Sequence, residues 1–284
     1  MKFFWRNVKL ILKDKTLPKE KRRKLFLSYA RIKWSSLFNS RQAIKHAPYK
    51  NKFLGHNIMF FNYDDLLFLI KEIFIKKEYY FKMETAIPFI IDCGSNIGIS
   101  LIYYKYLYPD CRIVAFEPDS RTFDVLKYNI HNNNLKNIEL INKAVYNYEG
   151  KISFYSDPDH PGIGSMSTVK ERLPKEPSIV DTALLSNYIN QRIDFLKLDI
   201  EGAEELVMEE VSQSGKIKLI NAMVIEYHHH IEPKEDNLSV ILKILEDNGF
   251  GYQLISLTQR FPARETFQDI LIYAYQKNPA LPQA

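Results

Sequence analysis

Cysteine and long apolar runs are scarce in this 284-residue chain. Its two cysteines, Cys93 and Cys111, are too few for a disulfide framework and lack the paired spacing of a zinc site, so both are predicted to be buried free thiols. The apolar runs fall short of the roughly 20 residues that a membrane-spanning helix needs, and Lys9, Lys13 and Lys15 interrupt a signal-peptide core. These absences predict a cytoplasmic protein that neither crosses a membrane nor is exported.

Acidic residues are nearly absent from the first part of the chain, residues 1–50. This part holds 15 Lys and Arg against Asp14 and Glu20, a net charge of +13, whereas residues 51–284 carry a net charge of −8. Anionic lipid headgroups or nucleic acid are natural partners for a basic block of this kind, and a solvated helix face is the alternative interpretation. Because aromatic residues are interleaved with the basic ones, we expect helices that lie on the inner face of a membrane.

The apolar pattern divides the chain into four predicted parts: residues 1–50, 51–85, 86–276 and 277–284. The first part is a basic extension of two helices, the second of which begins at Pro18. The second part holds a strand, His56–Phe61, and a helix, Asp64–Lys77, that would pack against the core. The last part is a short tail.

The third part alternates short apolar strands with helices, which predicts a doubly wound α/β sheet. Seven strands are expected, at Phe89–Cys93, Arg112–Glu117, Ile138–Val145, Asp194–Asp199, Leu219–Glu226, Tyr252–Thr258 and Asp269–Tyr275. Residues 146–192 break the alternation because they are rich in Asp, Pro and Gly, and they are interpreted as an inserted flap. Its segment His160–Ser165 would close over a substrate.

Two of only ten glycines lie in one turn, between the first of these strands and the helix that follows. Gly94 would allow the sharp turn and Gly98 would let the helix pack closely, while free N–H groups at the helix start face a ligand. The backbone of Gly94, Ser95, Asn96 and Gly98 would then hold the near face of a nucleotide cofactor.

The charged side chains beside this turn indicate which cofactor it would bind. Asp92 at the end of the first strand would repel a pyrophosphate but attract the ammonium and sulfonium of S-adenosyl-L-methionine, and Asn96 replaces the glycine that a pyrophosphate requires. Glu117 ends the second strand, where its carboxylate can accept hydrogen bonds from both ribose hydroxyls. Position in the fold places adenine near the end of the third strand, at Asn142, Ala144 and Val145.

Acidic residues also end the fourth and fifth strands. Asp199 and Glu201 follow the fourth strand, and Glu226 and His228 end the fifth, so all four would meet at the ligand-binding edge of the sheet. They are the candidate catalytic residues, which would hold substrate hydroxyls or accept a proton; Glu201, Glu226 and His228 remain alternatives for the proton acceptor.

The run His228-His229-His230 is not predicted to bind a metal. Successive strand residues point to opposite faces, so the three imidazoles cannot share one ion. Zinc-protease and serine-hydrolase motifs are also missing from the sequence.

Four motifs together resemble the FkbM-type methyltransferases, in order and at fitting spacing over roughly residues 86–230: Ile91–Gly98, Ala115–Pro118, Asp194–Glu204 and Ile225–His228. The departures from the family pattern are Cys93 and the pair Tyr227-His228. The resemblance implies a class I methyltransferase (Rossmann-like) fold in which an antiparallel seventh strand lies beside the fifth. It also implies O-methylation of a sugar or natural-product hydroxyl with S-adenosyl-L-methionine.

The sequence therefore predicts an O-methyltransferase for a sugar, glycan or glycolipid-like acceptor. The basic extension could bring this enzyme to a lipid-linked form of the acceptor. A nucleic-acid methyltransferase is one alternative, although extra carboxylates at Asp199 and Glu201 oppose a polyanion. A non-enzymatic, membrane-associated binding protein on the same fold is the other.

Overall fold

The computed structural model describes residues 2–39, 48–157, 162, 166–170, 176–229, 237–256 and 268–277. The helices are α1 (Lys2–Lys13), α2 (Lys19–Asn39), α3 (Tyr63–Ile70), α4 (Ile99–Leu107), α5 (Ser120–His131), α6 (Glu204–Gln213) and α7 (Leu238–Asp247). The strands are β1 (Tyr49–Phe53), β2 (His56–Phe60), β3 (Phe89–Cys93), β4 (Arg112–Phe116), β5 (Ile138–Ile141), β6 (Ala144–Tyr146), β7 (Lys151–Tyr155), β8 (Pro177–Leu184), β9 (Phe195–Leu198), β10 (Ala222–His229), β11 (Phe250–Ser256) and β12 (Gln268–Gln276).

Seven of these strands form the main sheet, in the order β5-β4-β3-β9-β10-β12-β11. Neighbouring strands from β5 to β10 are parallel, and β12 runs antiparallel between β10 and β11. This order confirms the predicted class I methyltransferase fold with its inserted seventh strand. Two apolar layers, one on each face of the sheet, bury β3 and β9 completely, and both cysteines are buried free thiols as predicted.

The predicted strand Ile138–Val145 is wrong as a single element. The chain leaves the main sheet at Asn142, whose side-chain amide donates to the carbonyl oxygens of Glu117 and Pro118 at 2.8 and 3.0 Å. β6 then pairs with β8, and β7 pairs with the other edge of β8. The region read as a flap thus contains two strands, while His160–Ser165 lies outside the described residues except for Gly162.

Two helices, α1 and α2, precede the sheet as predicted, and Pro18 stands directly before α2. The sequence analysis missed β1, a strand that pairs with β2 through a turn at Leu54-Gly55. Both turn residues have a positive φ, 52° and 96°, as a two-residue hairpin turn of this kind requires.

The predicted helix Asp64–Lys77 changes its pitch halfway. Asn62 caps α3 by accepting a hydrogen bond from the Asp65 N–H, and the chain continues from Lys71 to Lys76 as a π-helix. Such wider turns occur frequently at functional sites. Within the described residues, no helix combines the length and apolarity needed to cross a bilayer.

Candidate functional site

A cavity of about 670 Å³ lies where β3, β4, β9 and β10 end. Its walls include ten residues predicted from the sequence: Gly94, Ser95, Asn96, Glu117, Ala144, Val145, Asp199, Glu201, Glu226 and His228. Asp92, Gly98 and Asn142 do not line it. Met166 and Thr168, from the region interpreted as a flap, form part of one wall.

The glycine turn after β3 is built by contact with β9. Gly94 has φ +81°, and a Cβ there would lie 1.8 Å from the Asp199 carbonyl oxygen. Gly98 also has a positive φ, but a Cβ would meet the Leu126 side chain of α5. The prediction that Gly98 serves packing between its helix and the strand is therefore wrong, because the space belongs to a second helix.

The N–H groups of the turn itself are paired, and the predicted free N–H groups at the start of α4 stay a prediction. The N–H groups of Gly94 and Ser95 donate to the Phe116 carbonyl oxygen at 3.1 and 2.8 Å, and the Asn96 N–H donates to Glu117 Oε2 at 2.9 Å. The turn is thus tied to the end of β4. Its hydrogen bonds hold the Glu117 carboxylate in place at the cavity wall.

Glu117 is almost completely buried, with 3% of its surface exposed. Its other oxygen, Oε1, accepts a hydrogen bond from the Asp119 N–H at 3.0 Å. Burial nevertheless raises the pKa of Glu117 to about 8. A carboxyl group with this pKa gains most from a ligand that brings further hydrogen-bond donors to it.

Asp92 occupies a different place from the one predicted. It is fully buried behind the turn, 3.5 Å from the Lys197 Nζ, and burial raises its pKa despite this partner. Lys197 also donates to the Gly94 carbonyl oxygen at 2.6 Å and lies 3.2 Å from Asp199. Although burial opposes its charge, Asp199 and Asp92 raise the pKa of Lys197 above its usual range. The sequence analysis missed Lys197, and its signal was a lysine inside an otherwise apolar buried strand.

Tyr79 joins the ends of β9 and β10. Its hydroxyl lies 3.1 Å from Asp199 Oδ2 and 2.9 Å from Glu226 Oε2. Burial and the Asp199 carboxylate raise the pKa of Glu226 well above its usual range. Burial also raises the pKa of Asp199, but the charges of Lys197 and His228 outweigh it and lower the pKa. The pKa values of these two neighbouring carboxyl groups therefore shift in opposite directions.

His228 lies between two glutamates. Its Nδ1 is 3.0 Å from Glu204 Oε1, and its Nε2 is 3.1 Å from Glu201 Oε2. Burial disfavours the charged imidazole, but Glu201 and Glu204 together raise the pKa of His228 well above its usual value. Both ring nitrogens of His228 therefore face carboxylates, which favour its charged form.

Among the described residues, Asp199, Glu226 and His228 each place one ligand atom within 4.8 Å of the others, so these three could hold a metal ion. His229 lies next to His228 on β10, where alternation turns its side chain to the other face, and His230 lies outside the described residues. The prediction of no metal site stays a prediction and is tested below.

The sheet order, the glycine turn after β3 and the carboxylate after β4 define the protein class as a methyltransferase with a class I, Rossmann-like fold. A family model described as the methyltransferase FkbM domain matches residues 92–252. The chain belongs to the FkbM methyltransferase family.

Two curated methyltransferases and one solved structure are similar to this chain. Methyltransferase sdnD of Sordaria araneosa is 29% identical over 217 residues, which cover 64% of this chain and 81% of that protein. Methyltransferase 1 of Beauveria bassiana is 27% identical over 205 residues, with coverages of 65% and 80%. A solved FkbM methyltransferase from Methylobacillus flagellatus shares 18% identity at a TM-score of 0.46, and the match covers 70% of this chain and 46% of that one.

Proposed function

We propose that the chain is an S-adenosyl-L-methionine-dependent O-methyltransferase that acts on a hydroxyl of a sugar, glycan or glycolipid-like acceptor. One observation carries the proposal. A single cavity is lined at one end by Glu117, the buried carboxylate beside the glycine turn, and at the other end by a cluster of hydrogen-bonding groups around Asp199. The first end suits the nucleoside of the cofactor, and the second suits a polyhydroxylated acceptor.

The residues present fit the cofactor. Glu117 faces the cavity with a carboxyl group whose pKa is raised, and two ribose hydroxyls would supply donors that stabilise its charged form. Ala144 and Val145 give the apolar wall that adenine needs beside it. We assign Asp92 a positioning role, because its contact with Lys197 fixes the lysine that holds the Gly94 carbonyl.

S-adenosyl-L-methionine supplies an activated methyl group on a sulfonium. Asp199, held by Lys197 and within hydrogen-bond distance of Tyr79, would accept a hydrogen bond from a neighbouring hydroxyl of the acceptor and so orient the reacting oxygen. As the new C–O bond forms, this oxygen becomes strongly acidic, so even a weakly basic carboxylate can take its proton.

We assign proton acceptance to Glu201. Burial and Asp199 raise the pKa of Glu226, and Glu201 and Glu204 raise the pKa of His228; both shifts favour the protonated form, so neither group is arranged to accept a proton. The Glu201 side chain lines the cavity beside His228, and its backbone has φ +59°, a strained conformation for glutamate that is common at functional sites.

The charge of the cavity favours a neutral acceptor. Acidic residues outnumber basic ones along its walls, and those near the reaction centre, which include Asp199 and Glu201, would repel a polyanion. We therefore favour a sugar hydroxyl over a nucleic acid.

The test is transfer of an isotopically labelled methyl group to a panel of soluble glycans, read by mass spectrometry, with calorimetry of cofactor binding. Glu201→Gln should lower kcat by roughly 10²–10⁴ and leave cofactor affinity unchanged, whereas Glu139→Gln, on the exposed edge of β5, should behave as the parent. A parent that binds no S-adenosyl-L-methionine, or that methylates only RNA, would overturn the proposal.

A further inference from the structure

Helix α2 carries apolar residues on two opposite faces. Leu25 and Ile32 recur at helical spacing and are buried against the core. Positions two residues apart lie about 200° apart around a helix, so Leu27 points away from Leu25, and its face continues through Trp34 and Phe38. The residues of this second face are 51%, 66% and 65% exposed. An exposed apolar stripe of this kind indicates an interaction surface.

Basic residues share this outer face. Arg31 lies one turn beyond Leu27 and one turn before Trp34, and Arg23 lies one turn before Leu27; both arginines are exposed. The only acid in α2, Glu20, is paired with Lys24 at 2.8 Å. The outer face is therefore both apolar and positively charged.

Helix α1 shows the same combination and contains no acidic residue. Its exposed arc holds Trp5, Leu10 and Leu12, with Lys9 and Lys13 between and beside them. The arc lies next to α2, because the ring of Phe4 packs against Trp5 at 5.4 Å and stacks on Tyr29 of α2 at 5.8 Å.

We propose that the outward faces of α1 and α2 form a docking surface for an anionic lipid bilayer. Basic side chains would contact the headgroups while the tryptophan, phenylalanine and leucine side chains enter the acyl boundary. The positive charge and the aromatic rings suit either a bilayer or a nucleic acid, but the exposed Leu10, Leu12 and Leu27 give bases no plane to stack on and gain only from an acyl boundary, which favours the bilayer. This proposal goes beyond the proposed function and does not depend on it.

The two helices are firmly attached to the fold. Lys21 Nζ donates to the Tyr106 carbonyl oxygen of α4 at 2.6 Å, and the Ser28 hydroxyl accepts a hydrogen bond from the Leu54 N–H at 3.0 Å. Helix α2 also packs on α3, which continues into the π-helical turn that lines the cavity. A bilayer bound at this surface would therefore hold the cavity in a fixed orientation relative to the membrane.

The chain provides its own probe, because its two tryptophans, Trp5 and Trp34, both belong to the proposed surface. Full-length protein is mixed with vesicles of phosphatidylcholine alone or of phosphatidylcholine with phosphatidylglycerol. We expect flotation and a blue shift of tryptophan fluorescence with the anionic vesicles only, together with quenching by lipids brominated near the headgroup. Absence of flotation, or a spectrum unchanged by vesicles, would overturn the proposal.

Matched variants separate the two contributions. Trp34→Ser with Phe38→Ser, and separately Arg23→Glu with Arg31→Glu, should each weaken partition into anionic vesicles tenfold or more. Ile179→Ser, which removes a comparably exposed apolar side chain from β8, should bind as the parent. Equal vesicle binding by all variants with unchanged thermal unfolding would refute the surface. Two other results would also refute the surface if the parent does not bind vesicles. One is salt-sensitive binding to RNA, and the other is a dimer that the Trp34 variant no longer forms.

Discussion

Glu117 gives the sharpest test of the cofactor assignment, because its raised pKa favours the protonated form whereas its proposed ligand favours the carboxylate. Burial raises its pKa to about 8, so near neutral pH the free protein holds Glu117 mostly as a neutral acid. Two ribose hydroxyls would instead stabilise the carboxylate. Binding should therefore release a proton, and affinity should rise with pH until about pH 8 and then level off.

The size of the expected change in affinity follows from the difference between pH 7 and this pKa. One pH unit below the pKa, deprotonation costs about 1.4 kcal/mol, so affinity at pH 7 should be about tenfold below the plateau. Loss of the charged acceptor in Glu117→Gln removes roughly 1–3 kcal/mol and should make binding independent of pH between 7 and 9.

The assay is calorimetry with 5′-methylthioadenosine, which keeps both ribose hydroxyls but lacks the titrating amino group of the full cofactor. Two buffers of different ionisation enthalpy give the number of protons released, expected to be close to one per ligand at pH 7. Glu139→Gln is the control for the loss of an exposed carboxylate. Affinity that is flat from pH 6 to pH 9 in the parent, or equal binding by Glu117→Gln, would refute the reasoning.

Three further predictions concern the frame of the site. Gly94→Ala should abolish cofactor binding or folding, since the new Cβ would overlap backbone atoms. Gly215→Ala is the control: Gly215 has a similar positive φ but no atom within 4 Å of the new Cβ, so the free energy of unfolding in urea should fall by only about 1–3 kcal/mol. Lys197→Met should destabilise the protein by about 3–5 kcal/mol, because it leaves the buried carboxylates around it without their cation; a change below 1 kcal/mol would show that the pairs do not hold the site. Methyl transfer should survive EDTA, since Glu201 and Glu204 already occupy both ring nitrogens of His228; loss of activity that Mg²⁺ or Mn²⁺ restores would contradict this.

The sequence predicted the central strands well for a physical reason. β3, at Phe89–Cys93, coincides with its prediction because a parallel strand buried on both faces is a continuous apolar run. β1, at Tyr49–Phe53, was missed because its residues Lys50, Asn51 and Lys52 are polar and partly exposed in a hairpin away from the main sheet. A pattern of apolar residues reveals strands that are buried, and most residues of β1 are not buried.

The candidate site shows a similar limit. Carboxylates at strand ends can be placed from the sequence, because the edge where parallel strands end is known. Their protonation states cannot, since these depend on contacts between residues far apart in the chain, such as His228 with Glu204 and Lys197 with Asp92. Asp92 likewise does not line the cavity, and a lysine from the neighbouring strand lies beside its carboxylate.

The two ends of the cavity differ in their relation to the family. The turn at Gly94 and the carboxylate of Glu117 lie within the matched residues 92–252, so the cofactor end is built from shared family elements. A large part of the other wall comes from α3, the π-helical turn and Tyr79, all of which precede the matched region. Because Tyr79 touches both Asp199 and Glu226, residues outside the family domain shape the place where the acceptor would bind. The acceptor of this chain must therefore be sought by experiment on this chain, since the family match does not cover α3, the π-helical turn or Tyr79.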